Sequence, residues 1–90
     1  MSGRPDWARR GPSGRETVHL DARPILAAGG EPLDVILETA AAVAPGGVLI
    51  LEAPFEPVPL FDVLAAHGFD AFAEPLGPTH WRIWFRRARP

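Results

Sequence analysis

A chain of 90 residues with no break in composition makes one small domain, near the lower size at which burial alone outweighs chain entropy, with little area to spare for a deep cleft. It has no cysteine, which excludes disulfides, thiolate metal sites, persulfide carriage and thiol nucleophiles on this chain. The formal net charge of −2 combines an acidic body, with ten carboxylates against Arg23 between residues 16 and 74, with arginine-bearing ends; this disfavours nucleic-acid binding, which calls for a basic folded face.

Residues 1–15, MSGRPDWARRGPSGR, are polar, rich in Gly, Pro and Ser, and without periodicity, and are expected to form a flexible tail. Trp7 is expected there as a solvated or loosely docked side chain rather than a partner anchor. The domain proper is placed at 16–87, with 88–90 as its C-terminal end. The segment 16-ETVHLD-21 alternates, with Val18 and Leu20 on one face and Thr17, His19 and Asp21 on the other, which predicts a strand with one covered side. The Arg23-Pro24 break and a loop containing Gly29-Gly30 follow. Leu33, Ile36, Leu37, Ala40 and Ala44 then recur at helical spacing. Pro32 sits at the first turn, and Glu31 lies near the positive end of the dipole. Asp34 and Glu38 read as its solvated face, and 45-PGG-47 stops the helix.

The apolar run 48-VLILE-52 predicts a central strand, joined to the first by a right-handed parallel crossover. Beyond the proline-punctuated turn 54-PFEPVPL-60, Leu60, Val63, Leu64 and His67 form a second helical stripe that ends at Gly68. Segments 69-FDAFAEPL-76 and 79-THWRIWFRR-87 flank Gly77-Pro78 as a β-hairpin. Its second arm alternates Trp81, Ile83 and Phe85 against His80, Arg82, Trp84 and Arg86. The order βαβαββ predicts an α+β, two-layer α/β sandwich: a four-stranded mixed sheet with two helices on one face and the other face open.

The runs LDAR (20–23), GGEPLDVILETA (29–40), PGGVLIL (45–51), EPVPL (56–60) and WRIWFRR (81–87), in this order and spacing, resemble the TusA/SirA-like superfamily. Within it the chain is most similar to the branch called domain of unknown function 2249, and the resemblance covers about residues 16–87. It implies the same βαβαββ sandwich. The sulfur carriers of the superfamily keep a Cys-Pro-x-Pro motif at the start of the first helix, where backbone N–H groups and the dipole stabilise a thiolate. Counted back from Pro32, Gly29 stands at the cysteine position and Gly30 at the following proline, while Glu31 and Pro32 match. This implies a degenerate carrier site, Gly29, Gly30, Glu31 and Pro32, that cannot carry sulfur. The loop before Pro32 is also longer than the carrier pattern. The resemblance further implies a setting near hemerythrin-like or denitrification proteins, without assigning a reaction.

Several constellations compete for a role. Gly29-Gly30 as an anion cradle lacks a G-x-G-x-x-G or G-K-[ST] pattern and any lysine, and Glu31 would repel the anion, so a structural turn is favoured. His67, just before Gly68, reads as a helix cap. His19 and His80 are weak metal candidates if the first and last strands approach, with Asp21 or Glu52 as a third ligand; no metal-ligand spacing supports them. Glu52 and Glu56 read as solvated loop charges. The two serines, Ser2 and Ser13, both lie in the tail, so no Ser-His-Asp grouping arises.

The strongest feature is an interaction face of His80, Arg82, Trp84 and Arg86, since Trp and Arg are enriched at binding hot spots. The alternatives are that Arg stems or the tail cover Trp84, or that Trp81 points outward instead. The expectation is a non-enzymatic accessory domain that docks a protein partner or itself through that face, with no cofactor. The alternative is a small-ligand or metal-binding module in redox, sulfur or denitrification-linked metabolism. No apolar run approaches the roughly 20 residues of a membrane span, and no signal peptide is recognisable, so a cytoplasmic location is expected. All nine basic residues are Arg, read as a GC-rich bacterial coding bias.

Overall fold

The computed structural model describes Trp7 and residues 17–88; apart from Trp7, the tail expected over 1–15 lies outside the described residues. In chain order the elements are β1 (Thr17–Asp21), α1 (Arg23–Ala27), α2 (Leu33–Ala41), β2 (Val48–Ala53), α3 (Val58–Ala66), β3 (Phe69–Gly77) and β4 (His80–Arg87). The four strands make one mixed sheet in the order β1-β2-β4-β3. β1 runs parallel to β2, while β4 is antiparallel to both β2 and β3. The apolar run VLILEA is therefore paired on both sides, which accounts for its burial from Leu49 through Ala53.

The alternation of each strand sorts its side chains between two faces. Leu49, Leu51 and Ala53 of β2 meet Ile83 and Phe85 of β4 beneath Ile36 and Ala40 of α2 and Leu60 and Leu64 of α3 in one core, with Val18, Leu20 and Trp81 packed against it. Thr17, His19, Asp21, Val48, Ile50, Glu52, Arg82, Trp84 and Arg86 alternate with these residues and so belong to the opposite face. The sandwich is thus two-layered, as its sequence predicts.

The expected long loop after β1 contains a third helix, α1, which corrects the two-helix reading. Asp21 explains its start: Oδ1 accepts the backbone N–H of Arg23 at 3.0 Å, and Pro24 occupies the first turn, where proline has no hydrogen bond to lose. Its end is the diglycine. Gly29 N–H donates to Leu26 O at 3.0 Å and Gly30 N–H to Ile25 O at 2.9 Å, with Gly29 at φ 82°, which is the Schellman arrangement.

α2 also ends earlier than its apolar spacing predicts. Ala42 and Val43 donate to Thr39 O and Ala40 O in a tightened last turn that folds Val43 into the core and leaves Ala44 exposed.

Candidate functional site on the open sheet face

Glu52 is the one charged residue buried among the described residues, with 3% of its surface exposed. It lies within β2, not in the loop after it, so the reading of Glu52 as a solvated loop charge is corrected; Glu56 is exposed. A lone carboxylate on a central strand would be strongly disfavoured unless hydrogen-bonded and paired. Three side chains meet that demand. His80 Nε2 lies 2.5 Å from Oε1, His19 Nε2 lies 2.8 Å from Oε2, and Arg82 Nε donates to Oε2 at 2.8 Å. Burial alone would raise the pKa of Glu52, but the bonds from His80, Arg82 and His19 outweigh it and hold the group below its ordinary value.

Strand register explains the convergence. Arg82 is directly opposite Glu52 on β4, whereas His19 on β1 is opposite Ile50, two residues back along β2. His80, two residues before Arg82 on an antiparallel strand, approaches from beyond Glu52. The two imidazoles therefore reach one carboxylate from opposite diagonals. Among the described residues no three His, Asp or Glu side chains are placed to hold one metal ion. Asp21, opposite Glu52 on β1, is engaged elsewhere: Arg23 donates Nε to Oδ1 at 2.9 Å and Nη2 to Oδ2 at 2.8 Å, and this fork holds the Asp21 carboxyl down to about 2.

Next to the polar cluster is an apolar one. Ile50 and Trp84 are opposite each other and fully buried, with Val48, Phe72 and Trp7 packed against them. Trp84, not Trp81, faces the open side, yet it does not meet water: only 3% of it is exposed. The guanidinium of Arg86 sits 5.2 Å from the centre of the Trp7 ring, and its Nη2 donates to Asp70 Oδ2 at 2.8 Å. The four residues expected as an interaction face are thus together on one face, divided between two jobs. His80 and Arg82 serve Glu52, while Trp84 and Arg86 sit with Trp7.

The degenerate carrier positions are not on this face. Gly29 and Gly30 close α1, and the carboxylate of Glu31 accepts the Leu33 N–H at 3.2 Å, so one free donor at the start of α2 is already satisfied. His67 is the exposed cap residue after α3, and its backbone N–H donates to Leu64 O. The sequence missed Arg82 as a partner of Glu52, and Val48, Ile50 and Phe72 as partners of Trp84. Only an interstrand register could have paired them. Among the described residues, no helix is long and apolar enough to cross a membrane.

Fold and site together define a small α/β sandwich whose open sheet face carries a buried carboxylate hub beside an aromatic cluster. The chain belongs to the family described as Uncharacterized conserved protein (DUF2249), which matches residues 19–87. No curated protein and no solved structure matches it significantly.

Proposed function

We propose that the chain is a non-enzymatic accessory domain that binds a protein partner through its open sheet face, as a cytoplasmic, cysteine-less relative of the TusA/SirA-like carriers. One observation carries the reading. The apolar centre of that face, Ile50 and Trp84, lies opposite the layer of α2 and α3, and among the described residues Trp7, which precedes the matched domain, packs against it. Ile50 and Trp84 are buried as the chain stands, but departure of Trp7 would open an apolar surface on the sheet, and such surface marks a place for another chain. A binding role also suits Glu52, because both of its oxygens are taken up by the domain's own side chains. The relation to the carriers rests on the element order and the match of Glu31-Pro32.

The test is capture of a discrete partner from native cells by crosslinking, together with sedimentation of the purified chain. Val48→Arg, on the open face, is expected to abolish capture or self-association, and Glu38→Arg, on the helical side, to leave it intact, compared at a temperature where circular dichroism shows both variants folded. Capture that survives Val48→Arg, or that both variants weaken equally, rejects this reading.

A second reading, a metal or small-ligand module, draws on the approach of His19 and His80 to the same carboxylate. Native mass spectrometry of tag-free protein titrated with zinc or iron would then give a bound mass that His19→Ala removes; an unchanged apo mass rejects it.

A further inference from the structure

Trp7 lies outside the family-matched segment 19–87, and residues 8–16 separate it from β1. Nine intervening residues give a chain reach of about 30 Å, comparable with the 36 × 32 × 24 Å extents of the molecule. The main core is complete without it, since every residue of that cluster lies between Val18 and Phe85. Trp7 nevertheless occupies a defined seat: it packs against the Ile50–Trp84 cluster, as Val48 and Phe72 also do, under an Arg86 guanidinium that Asp70 holds by a hydrogen bond. An aromatic side chain from outside the matched segment, set against Ile50 and Trp84 with a cation over its face, has the composition of a ligand in a recognition pocket.

We propose that this seat is a recognition site for a tryptophan side chain presented by a partner protein, and that Trp7 is its intramolecular occupant, which a partner must displace. The inference rests on the open face being the docking surface, and it adds the chemistry of the partner and a brake on its binding. Tethering raises the effective concentration of Trp7 to the order of millimolar, so a free competitor is disadvantaged until Trp7 is removed.

The experiment uses the full chain, as wild type and as Trp7→Ala, with a synthetic peptide of residues 1–15 as probe, read by NMR at Ile50, Phe72 and Trp84. Circular dichroism first establishes that Trp7→Ala folds. The peptide is expected to shift these three residues saturably in Trp7→Ala and at least about tenfold more weakly in wild type. A peptide with alanine at position 7 is expected to do neither. Absence of binding to Trp7→Ala, or equal binding to both proteins, overturns the proposal. Partner capture is expected to rise in Trp7→Ala. Capture that depends on Val48 but is indifferent to Trp7 rejects this inference and leaves the docking surface standing, whereas peptide binding with no partner capture rejects the docking function and keeps the tryptophan seat. A concentration-dependent dimer in wild type that Trp7→Ala abolishes identifies a second copy as the occupant and overturns the assignment to a partner.

Discussion

His80 Nε2 lies 2.5 Å from Oε1 of Glu52, although the two residues are on neighbouring strands and not directly opposite each other. An ionised carboxylate only accepts hydrogen bonds, so a neutral imidazole at this distance must donate from Nε2 and carry its lone pair on Nδ1. The same holds for His19, 2.8 Å from Oε2. Long-range proton–nitrogen NMR at alkaline pH is expected to report the Nε2–H tautomer for both residues. A protonated Nδ1 on either would show that the hub is wired differently.

Glu52→Gln keeps the volume of the side chain and removes its charge. The amide has one acceptor oxygen where three donors converge, and it brings its own N–H groups against them. Breaking a buried charged pair costs several kcal/mol, but the donors here are partly solvated, with 47% of the His19 side chain and 31% of that of Arg82 exposed. A loss of about 1–3 kcal/mol is expected from urea unfolding. His19→Ala, which removes one half-exposed donor, is expected to cost under about 1 kcal/mol. Equal losses for the two would mean that Glu52 is not the centre of the cluster.

Acid should act through the same carboxylate. A group whose folded pKa is depressed contributes stability that is present above its unfolded value and is lost as pH falls through the folded value. For Glu52 that loss begins below the ordinary 4.5, and for Asp21 it extends from 3.8 down to about 2. The urea midpoint of wild type is expected to hold above about pH 5 and to fall steadily below it. Glu52→Gln, already destabilised, should show a shallower acid limb, because the depressed Glu52 carboxylate is gone. Parallel acid limbs would place the pH dependence elsewhere.

Trp84→Ala and Trp7→Ala separate two kinds of contact. Trp84 is buried on a central strand, and its truncation is expected to cost about 3–5 kcal/mol. Loss of partner capture by that variant would therefore report unfolding, not docking. Trp7 is half-buried and held by packing and one cation–π contact, and its loss is expected to cost no more than about 1 kcal/mol. Thermal unfolding of both variants checks the contrast.

Periodicity carried the sheet, α2 and α3 because their apolar stripes are strong and continuous: 48-VLILE-52 can only be central, and the 81/83/85 against 82/84/86 alternation predicts both faces of β4. What it could not carry was pairing across strands. Glu52 reads as a loop charge because it precedes a proline-rich turn, and only the opposition of Arg82 and the diagonal positions of His19 and His80 explain how it is buried. α1 escaped for a different reason. Its five residues are too few to show a helical period, and its signals are local ones: the Asp21 carboxylate accepting the Arg23 N–H, Pro24 in the first turn, and a glycine pair at the end.

That glycine pair gives the sharpest backbone prediction. Gly29 has φ 82°, where a side chain is disfavoured by about 1–2 kcal/mol, and yet a Cβ there would meet nothing within 4 Å. Gly30 is the reverse: its φ lies outside the left-handed region, but a Cβ would come within 3.1 Å of both Ile25 Cγ2 and the Ile25 carbonyl oxygen. Gly29→Ala is thus expected to lose about 1 kcal/mol through conformation alone, lowering the melting temperature by about 4–8 °C in a domain this small. Gly29→Cys should lose a similar amount, and its thiol should react freely with a disulfide reagent, because the position is exposed and uncrowded. A cysteine that is protected from the reagent, or that leaves the melting temperature unchanged, would mean that the turn closing α1 differs from the Schellman arrangement. Gly30→Ala perturbs by contact instead, so its cost should be partly relieved by Ile25→Leu, which lacks the Cγ2 methyl and leaves only the carbonyl contact. Gly29→Ala should show no such rescue.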